Sequence, residues 1–209
     1  MTSTYPPPPW HSTGTLWLGL LRTREAVPQP PELTRLLPAR RMAFMLIRYL
    51  TGTLCYDEFM VGALARHGRH AALWVHAIWV NDPQSLSGGR EIWGVPKELA
   101  TFNWSPDGVH ISDSHNTIAA IRLGGRTPTG PRIPLLATGF GNLKGDLTYF
   151  SGRLRGPVGK ATAHVTQWST SLPALQSTTA RPVLQISPFS MTVNAPSTRR
   201  CSVSSGLET

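Results

Sequence analysis

Apolar and polar residues alternate in short runs along most of this chain, and Gly, Pro, Asn and Asp separate the runs. A period of two turns one face of a strand toward a core and the other toward solvent. The first such run is 15–23. Residues 42–49, Met-Ala-Phe-Met-Leu-Ile-Arg-Tyr, are nearly all apolar and fit either a buried strand or a buried helix. Beyond Glu58 the pattern sharpens. Runs at 59–64 and 71–80 flank Arg66-His67-Gly68-Arg69, which predicts a hairpin with a Gly-containing loop. Asn81-Asp82-Pro83 breaks the second run and starts a short helix through Gly88. Further strands are expected at 100–104, 108–112, 117–123, 133–138, 147–154, 162–168 and 183–193. The Pro-rich stretch 27–38 reads as a loop with one helical turn around 32–36.

Many short strands and little helix predict a mainly β fold with minor α, its antiparallel sheet closed into a barrel or folded into a sandwich. The 209 residues suit one domain. Residues 1–9, ending in four prolines, form a flexible lead; 10–196 form the domain; the Ser/Thr-rich residues 197–209 form a disordered tail. A chain of this composition and size folds without a covalent staple.

The net charge of +9 raises nucleic acid as a partner, but its distribution argues against one. Lysine occurs only at Lys97, Lys144 and Lys160, and the arginines are scattered singly or in pairs. A solvated basic surface is the simpler reading, with no nucleic acid partner expected. Two cysteines, Cys55 and Cys201, offer no disulfide framework and no metal spacing. The apolar run 16–21 is too short to span a bilayer, and Arg48 interrupts 44–50, so no membrane partner is expected. The start of the chain lacks the features of a signal peptide, and a cytoplasmic location is the expectation. The pairs His67 and His70, and His110 and His115, have no companion ligands, so no metal is expected. The glycines at 139, 141 and 145 miss the dinucleotide spacing, and no cofactor is expected.

Lys97 is the candidate for chemistry. It follows Pro96 in an apolar stretch containing Ile92, Trp93, Val95 and Leu99. Apolar surroundings disfavour the charged form of an amine, and a neutral amine can attack a carbonyl to form a Schiff base. The competing reading is a lysine whose stem packs while its ammonium reaches water.

Three segments bear on that choice: Cys-Tyr-Asp-Glu at 55–58, Gly-Arg-Glu-Ile at 89–92, and Pro-Lys-Glu-Leu at 96–99. Their order and spacing are similar to those of acetoacetate-decarboxylase-like proteins. The run Trp74-Val-His-Ala-Ile-Trp-Val-Asn-Asp82 resembles the core strand leading into that motif. The resemblance covers about 15–125 and fades beyond. It implies a cone-like antiparallel β-barrel, a Schiff-base role for Lys97, an active-site acid at Glu58 and a small-molecule carbonyl substrate; a homo-oligomer is compatible with it. Activated lysines of this kind have acetoacetate decarboxylase as their standard example.

The departures matter as much. Glu98 stands where the decarboxylases carry a second lysine; a carboxylate there favours the ammonium form only if the two side chains meet, and extended backbone points them apart. Gly14 and Ala43 stand where the same register places a substrate-binding arginine and a second carboxylate. Arg22, Arg24, Arg41 and Arg48 are possible substitutes for the arginine. The substrate expected is therefore another carbonyl compound, a keto acid or polyketide-like intermediate of secondary metabolism. Decarboxylation, aldol/dehydration and cyclisation all fit. Alternatives are a non-covalent cyclase or isomerase in the same pocket, and a non-catalytic binding protein.

Five further residues are candidate substrate contacts. His76 shares a face with Trp74, Ile78 and Val80 if its strand is regular, and could shuttle a proton. Tyr56, Trp79 and Trp93 could line an aromatic pocket, although core packing explains them equally well. Arg90 is either an anion ligand or, with Glu91, a structural element of the turn before Trp93.

Overall fold

A computed structural model describes residues 5–125 and 127–199. The strands run β1 (Trp10–Arg22), β2 (Thr34–Arg35), β3 (Arg41–Gly52), β4 (Tyr56–His67) and β5 (His70–Val80). Helix α1 (Pro83–Gly88) runs into a π-helical turn (Gly89–Trp93). After it come β6 (Lys97–Leu99), β7 (Thr101–Ser105), β8 (Gly108–Ser112), β9 (Thr117–Gly125) and β10 (Ile133–Leu143). The chain closes with β11 (Asp146–Gly156), β12 (Val158–Trp168), β13 (Arg181–Val193) and β14 (Ser197–Arg199).

Seven of these strands close a barrel in the order β11, β10, β5, β4, β3, β1, β13 and back to β11. The pairings are antiparallel except at one seam, where β5 and β10 run parallel. Closure depends on β13, which is long enough to serve two sheets. Its last residues pair with β11, from Ser190 opposite Arg155 to Val193 opposite Gly152. Its first residues pair with β12 instead, from Arg181 opposite Ala163 to Ile186 opposite Val158. From there β12, β9, β8 and β7 continue as a sheet that covers the outside of the barrel wall.

That cover explains the unbroken apolar run 42–49. Met42, Phe44 and Leu46 point outward and join Phe59, Val61 and Ile111 in a core between wall and cover. Ala43, Ile47 and Tyr49 point inward. A strand buried on both faces has no polar side to show, so alternation disappears from its sequence. The helix alternative for this run is excluded.

The β4–β5 hairpin forms as expected but is irregular. Val61 lies opposite Ala77 and Gly62 opposite Val75, which makes His76 the extra residue of a β-bulge. Leu73 and Val75 face the barrel interior before the bulge, and Ile78 does so after it. His76 therefore does not share a face with Trp74, Ile78 and Val80 as a regular strand would require. One inserted residue changes the side toward which everything beyond it points.

Three other expectations are corrected. Residues 32–36 hold no helical turn; β2 pairs with Arg66 and Ala65 of β4, and the Leu36 amide donates to the Leu64 carbonyl. Residues 5–9 are tied down: the Tyr5 hydroxyl donates to Glu91 at 2.8 Å, and the Trp10 indole donates to the Pro6 carbonyl at 2.9 Å. Residues 197–199 form β14 against β11. The expectations for 1–4 and 200–209 lie outside the described residues.

Phe44 is 1% exposed in the outer core. Phe44→Ala is expected to lower stability by about 3–5 kcal/mol, as cavity formation at a buried aromatic does. Leu50→Ala, at a residue 58% exposed, should change it by no more than about 0.5 kcal/mol. Urea unfolding of the two variants measures the difference.

Candidate active site

The segment from Asp82 to Lys97 builds the site. The Asp82 carboxylate accepts from the Ser85 amide at 2.6 Å and starts α1, with Pro83 in the first helical position. The π-helical turn ends at Gly94, whose φ of 68° is left-handed. A Cβ there would lie 2.5 Å from the Asn142 carbonyl, so only glycine fits. The chain then enters β6, where Lys97 pairs in parallel register with Ile78. Arg90 Nε donates to the Lys97 carbonyl at 2.7 Å. Arg90 thus holds the lysine's backbone, and its guanidinium is not part of the cavity wall. Gly89 lies against the lysine stem: a Cβ on it would come within 2.4 Å of Lys97 Cδ.

Lys97 points into the barrel and is 4% exposed, whereas Glu98 points out to solvent. Extended backbone separates the two side chains, and Glu98 does not oppose the lysine at close range. Lys97 Nζ donates to Glu58 Oε2 at 2.8 Å and to Ser85 Oγ at 2.8 Å. Glu58, 3% exposed on the inward face of β4, also accepts from Tyr49 at 3.2 Å and from Tyr56 at 3.4 Å. Tyr49 and Tyr56 face each other across the β3–β4 pairing with ring centroids 4.4 Å apart. Burial first, and then the neighbouring Glu58, raise both phenols well above the ordinary tyrosine range. They stay protonated and act as donors.

This cluster opens onto a cavity of about 930 Å³ inside the barrel. Trp10, Ile47, Ile78, Trp93 and Val95 form the wall beside Lys97. Trp10 and Trp93 meet edge to face at 4.6 Å. Among the sequence candidates, Lys97, Glu58, Tyr56 and Trp93 come together here. Trp79 does not; it stacks on Phe59 at 6.0 Å in the outer core. His76 sits in the bulge outside the cavity wall, and partial burial lowers its pKa and favours the neutral ring.

Ser85, Tyr49 and Trp10 are site residues that sequence reasoning did not identify. Tyr49 and Tyr56 were recoverable as the two facing ends of a hairpin, had its register been known. Ser85 carried no signal of its own. At the two places where family polar groups were expected, the structure is explicit. A Cβ on Gly14 would fall 1.8 Å from the Arg48 carbonyl, so no side chain fits there. Ala43 is a buried part of the cavity wall. Arg48 is no substitute for the missing arginine: its guanidinium lies over Trp104 at 4.3 Å, and its Nε is 3.5 Å from Asp57. Among the described residues no cluster of His, Cys, Asp or Glu is arranged to hold a metal, and no helix is long and apolar enough to cross a membrane.

Residues 22–127 match the profile of the acetoacetate decarboxylase (ADC) family. Acetoacetate decarboxylase 2 of Mesorhizobium japonicum is 36% identical over 81 residues, which are 38% of this chain and 30% of that protein. The aligned part thus spans about a third of the length of the curated relative. The fold match is far more extensive. Acetoacetate decarboxylase from Legionella pneumophila superposes over 95% of this chain and 90% of its own, with TM-score 0.70 and 16% identity. The enduracididine biosynthesis enzyme MppR, complexed with pyruvate, superposes over 93% of this chain and 91% of its own, with TM-score 0.64 and 14% identity.

The two buried phenols have a measurable consequence. Their folded-state pKa lies above the unfolded value of about 10, so their contribution to stability is complete below that pH. It is lost as pH rises from there through the folded value, because the unfolded chain ionises first. Alkaline titration of phenolate absorbance should show two of the four tyrosines ionising only with unfolding. Tyr49→Phe with Tyr56→Phe should remove that late phase.

Proposed function

The chain belongs to the acetoacetate decarboxylase family, and from that premise we propose that it is an enzyme acting on a carbonyl compound through an imine at Lys97. The observation that supports this best is the donor–acceptor set around one buried amine, with Nζ 2.8 Å from both Glu58 and Ser85.

Moving one proton along the Lys97–Glu58 hydrogen bond yields a neutral amine and a neutral carboxylic acid. Neither then bears the desolvation cost of an ion inside an apolar barrel. The amine lone pair attacks the substrate carbonyl carbon, and Glu58 returns its proton to the carbonyl oxygen to form a carbinolamine. Loss of that hydroxyl as water gives the iminium, which accepts the electron pair of a bond broken at the adjacent carbon. The resulting enamine is protonated, or attacks a second carbonyl, and hydrolysis restores the lysine. Tyr49 and Tyr56, held protonated, keep the Glu58 carboxylate oriented through the cycle.

The wall beside Lys97 is apolar, and Gly14, where no side chain fits, stands at the place of the family's substrate-binding arginine. That environment suits a reacting end without a free carboxylate. It favours aldol, dehydration or cyclisation chemistry on a polyketide-like carbonyl compound over acetoacetate decarboxylation.

Borohydride added with a methyl ketone or β-keto ester should leave a secondary amine on Lys97, seen by peptide mass spectrometry. Lys97→Met should abolish the adduct, and Glu58→Gln should slow its formation by about 10²–10⁴, the usual contribution of one acid–base group. An unmodified Lys97, or full activity in Lys97→Met, would remove the imine from the mechanism.

A further inference from the structure

The same cavity has a second end that the imine chemistry does not use. Along β3, Ile47 is opposite Glu58, while Arg41 lies six residues away on the same inward face. At the rise of a strand this is about 20 Å of wall, or about 15 Å of depth once the tilt of barrel strands is allowed for. The two ends differ in character. At the lysine end every lining polar group is buried. At the other end the lining is exposed leucine, with Leu20 at 41%, Leu184 at 46% and Leu136 at 70%.

Three cations border that mouth: Arg41, Lys160 and Arg181. Lys160 pairs across to Leu184, and Arg41 pairs with Arg22, two residues beyond Leu20 on β1, so they approach the opening from both sides of β1 and β13. Among the described residues none of the three has a carboxylate partner. Arg181 also carries a buried Nε with no hydrogen-bond acceptor. Among the same residues, the only carboxylate that lines the cavity is Glu58, at the opposite end and already engaged. Unpaired cations around an apolar opening attract an anion, and the apolar wall between favours a chain that displaces its water.

We propose that the barrel takes an elongated amphiphile, with a carbonyl at the Lys97 end, an apolar chain along the wall and an anionic group held at the mouth by Arg41, Lys160 and Arg181. This deepens the function proposed above and rests on it only for the carbonyl. The anion is either a carboxylate or the phosphate of a larger carrier group; both present negative charge to the same cations. A short keto acid cannot reach both ends at once, which separates this substrate class from acetoacetate.

The test measures binding by tryptophan fluorescence to the full chain carrying Lys97→Met, so that a missing imine cannot be mistaken for a missing ligand. The probes are 3-oxobutanoate, a long-chain oxo acid with its ketone near the methyl end, the matching long-chain ketone without the carboxylate, and a long-chain alkyl phosphate. The long oxo acid should bind at least about tenfold tighter than 3-oxobutanoate, and added salt should weaken it while leaving the ketone unaffected. Adding Arg41→Gln and Lys160→Gln should cost the oxo acid about tenfold and leave the ketone unchanged, since that ketone also reports an intact barrel. Comparable loss for the alkyl phosphate shows that the mouth takes either anion; loss for the oxo acid alone identifies a carboxylate. Equal affinity for short and long acids, or salt-insensitive binding of the long acid to the unsubstituted mouth, overturns the proposal.

Discussion

A lysine and a glutamate buried together within an apolar barrel set the terms for the rest of this structure. Each ion taken from water costs several kcal/mol even after relaxation, and attraction between the pair offsets that only with good geometry and additional hydrogen bonds. Here the pair and its additional bonds draw on four elements. Glu58 and Tyr56 lie on β4, Tyr49 on β3, Ser85 on α1 and Lys97 on β6. The helical segment after β5 therefore does more than connect strands. It brings Ser85 back over the barrel and turns the chain so that Lys97 enters beside Ile78. Gly89 leaves room for the lysine stem, and Arg90 holds the backbone from outside.

The outer sheet contributes at a distance. A barrel wall with one face open to water would need polar residues at every second position. Covering β3 and β4 with β7, β8, β9 and β12 lets both faces be apolar, with Phe44 and Phe59 packed outside and Ile47 and Met60 inside. The interior can then be shaped around a ligand while the outer core supplies much of the hydrophobic stabilisation. The cavity is thus large and apolar without the barrel depending on filling it. Its polarity is divided between a buried pair at one end and, at the other, three cations that have no carboxylate partner among the described residues.

Comparison of sequence and structure shows where each kind of signal holds. Strand existence was readable almost throughout, because period-two patterning and Gly/Pro punctuation are local. Lys97 and Glu58 were readable as candidates because their neighbours follow a family order, and the structure pairs them in the cavity. His76 lies outside the cavity wall because it is the extra residue of a bulge that no local feature marks, while Trp79, next to the inward-facing Ile78, faces the outer core by ordinary alternation. Ser85 and Tyr49 were not identified because their partners lie 12 and 9 residues away, on other elements.

The amino-acid sequence by itself determined a mainly β domain, a family and a candidate lysine among apolar neighbours. These follow from short-range patterning and from residues whose order is preserved along the chain. The tertiary structure alone decided that Lys97 faces inward and Glu98 outward, that β13 closes the barrel by serving two sheets, and that Arg41 shares a cavity with a lysine 56 positions further along the chain. Those outcomes depend on register and closure. Both are set by pairings between distant strands, and the free energy of such pairings is not written in any one segment.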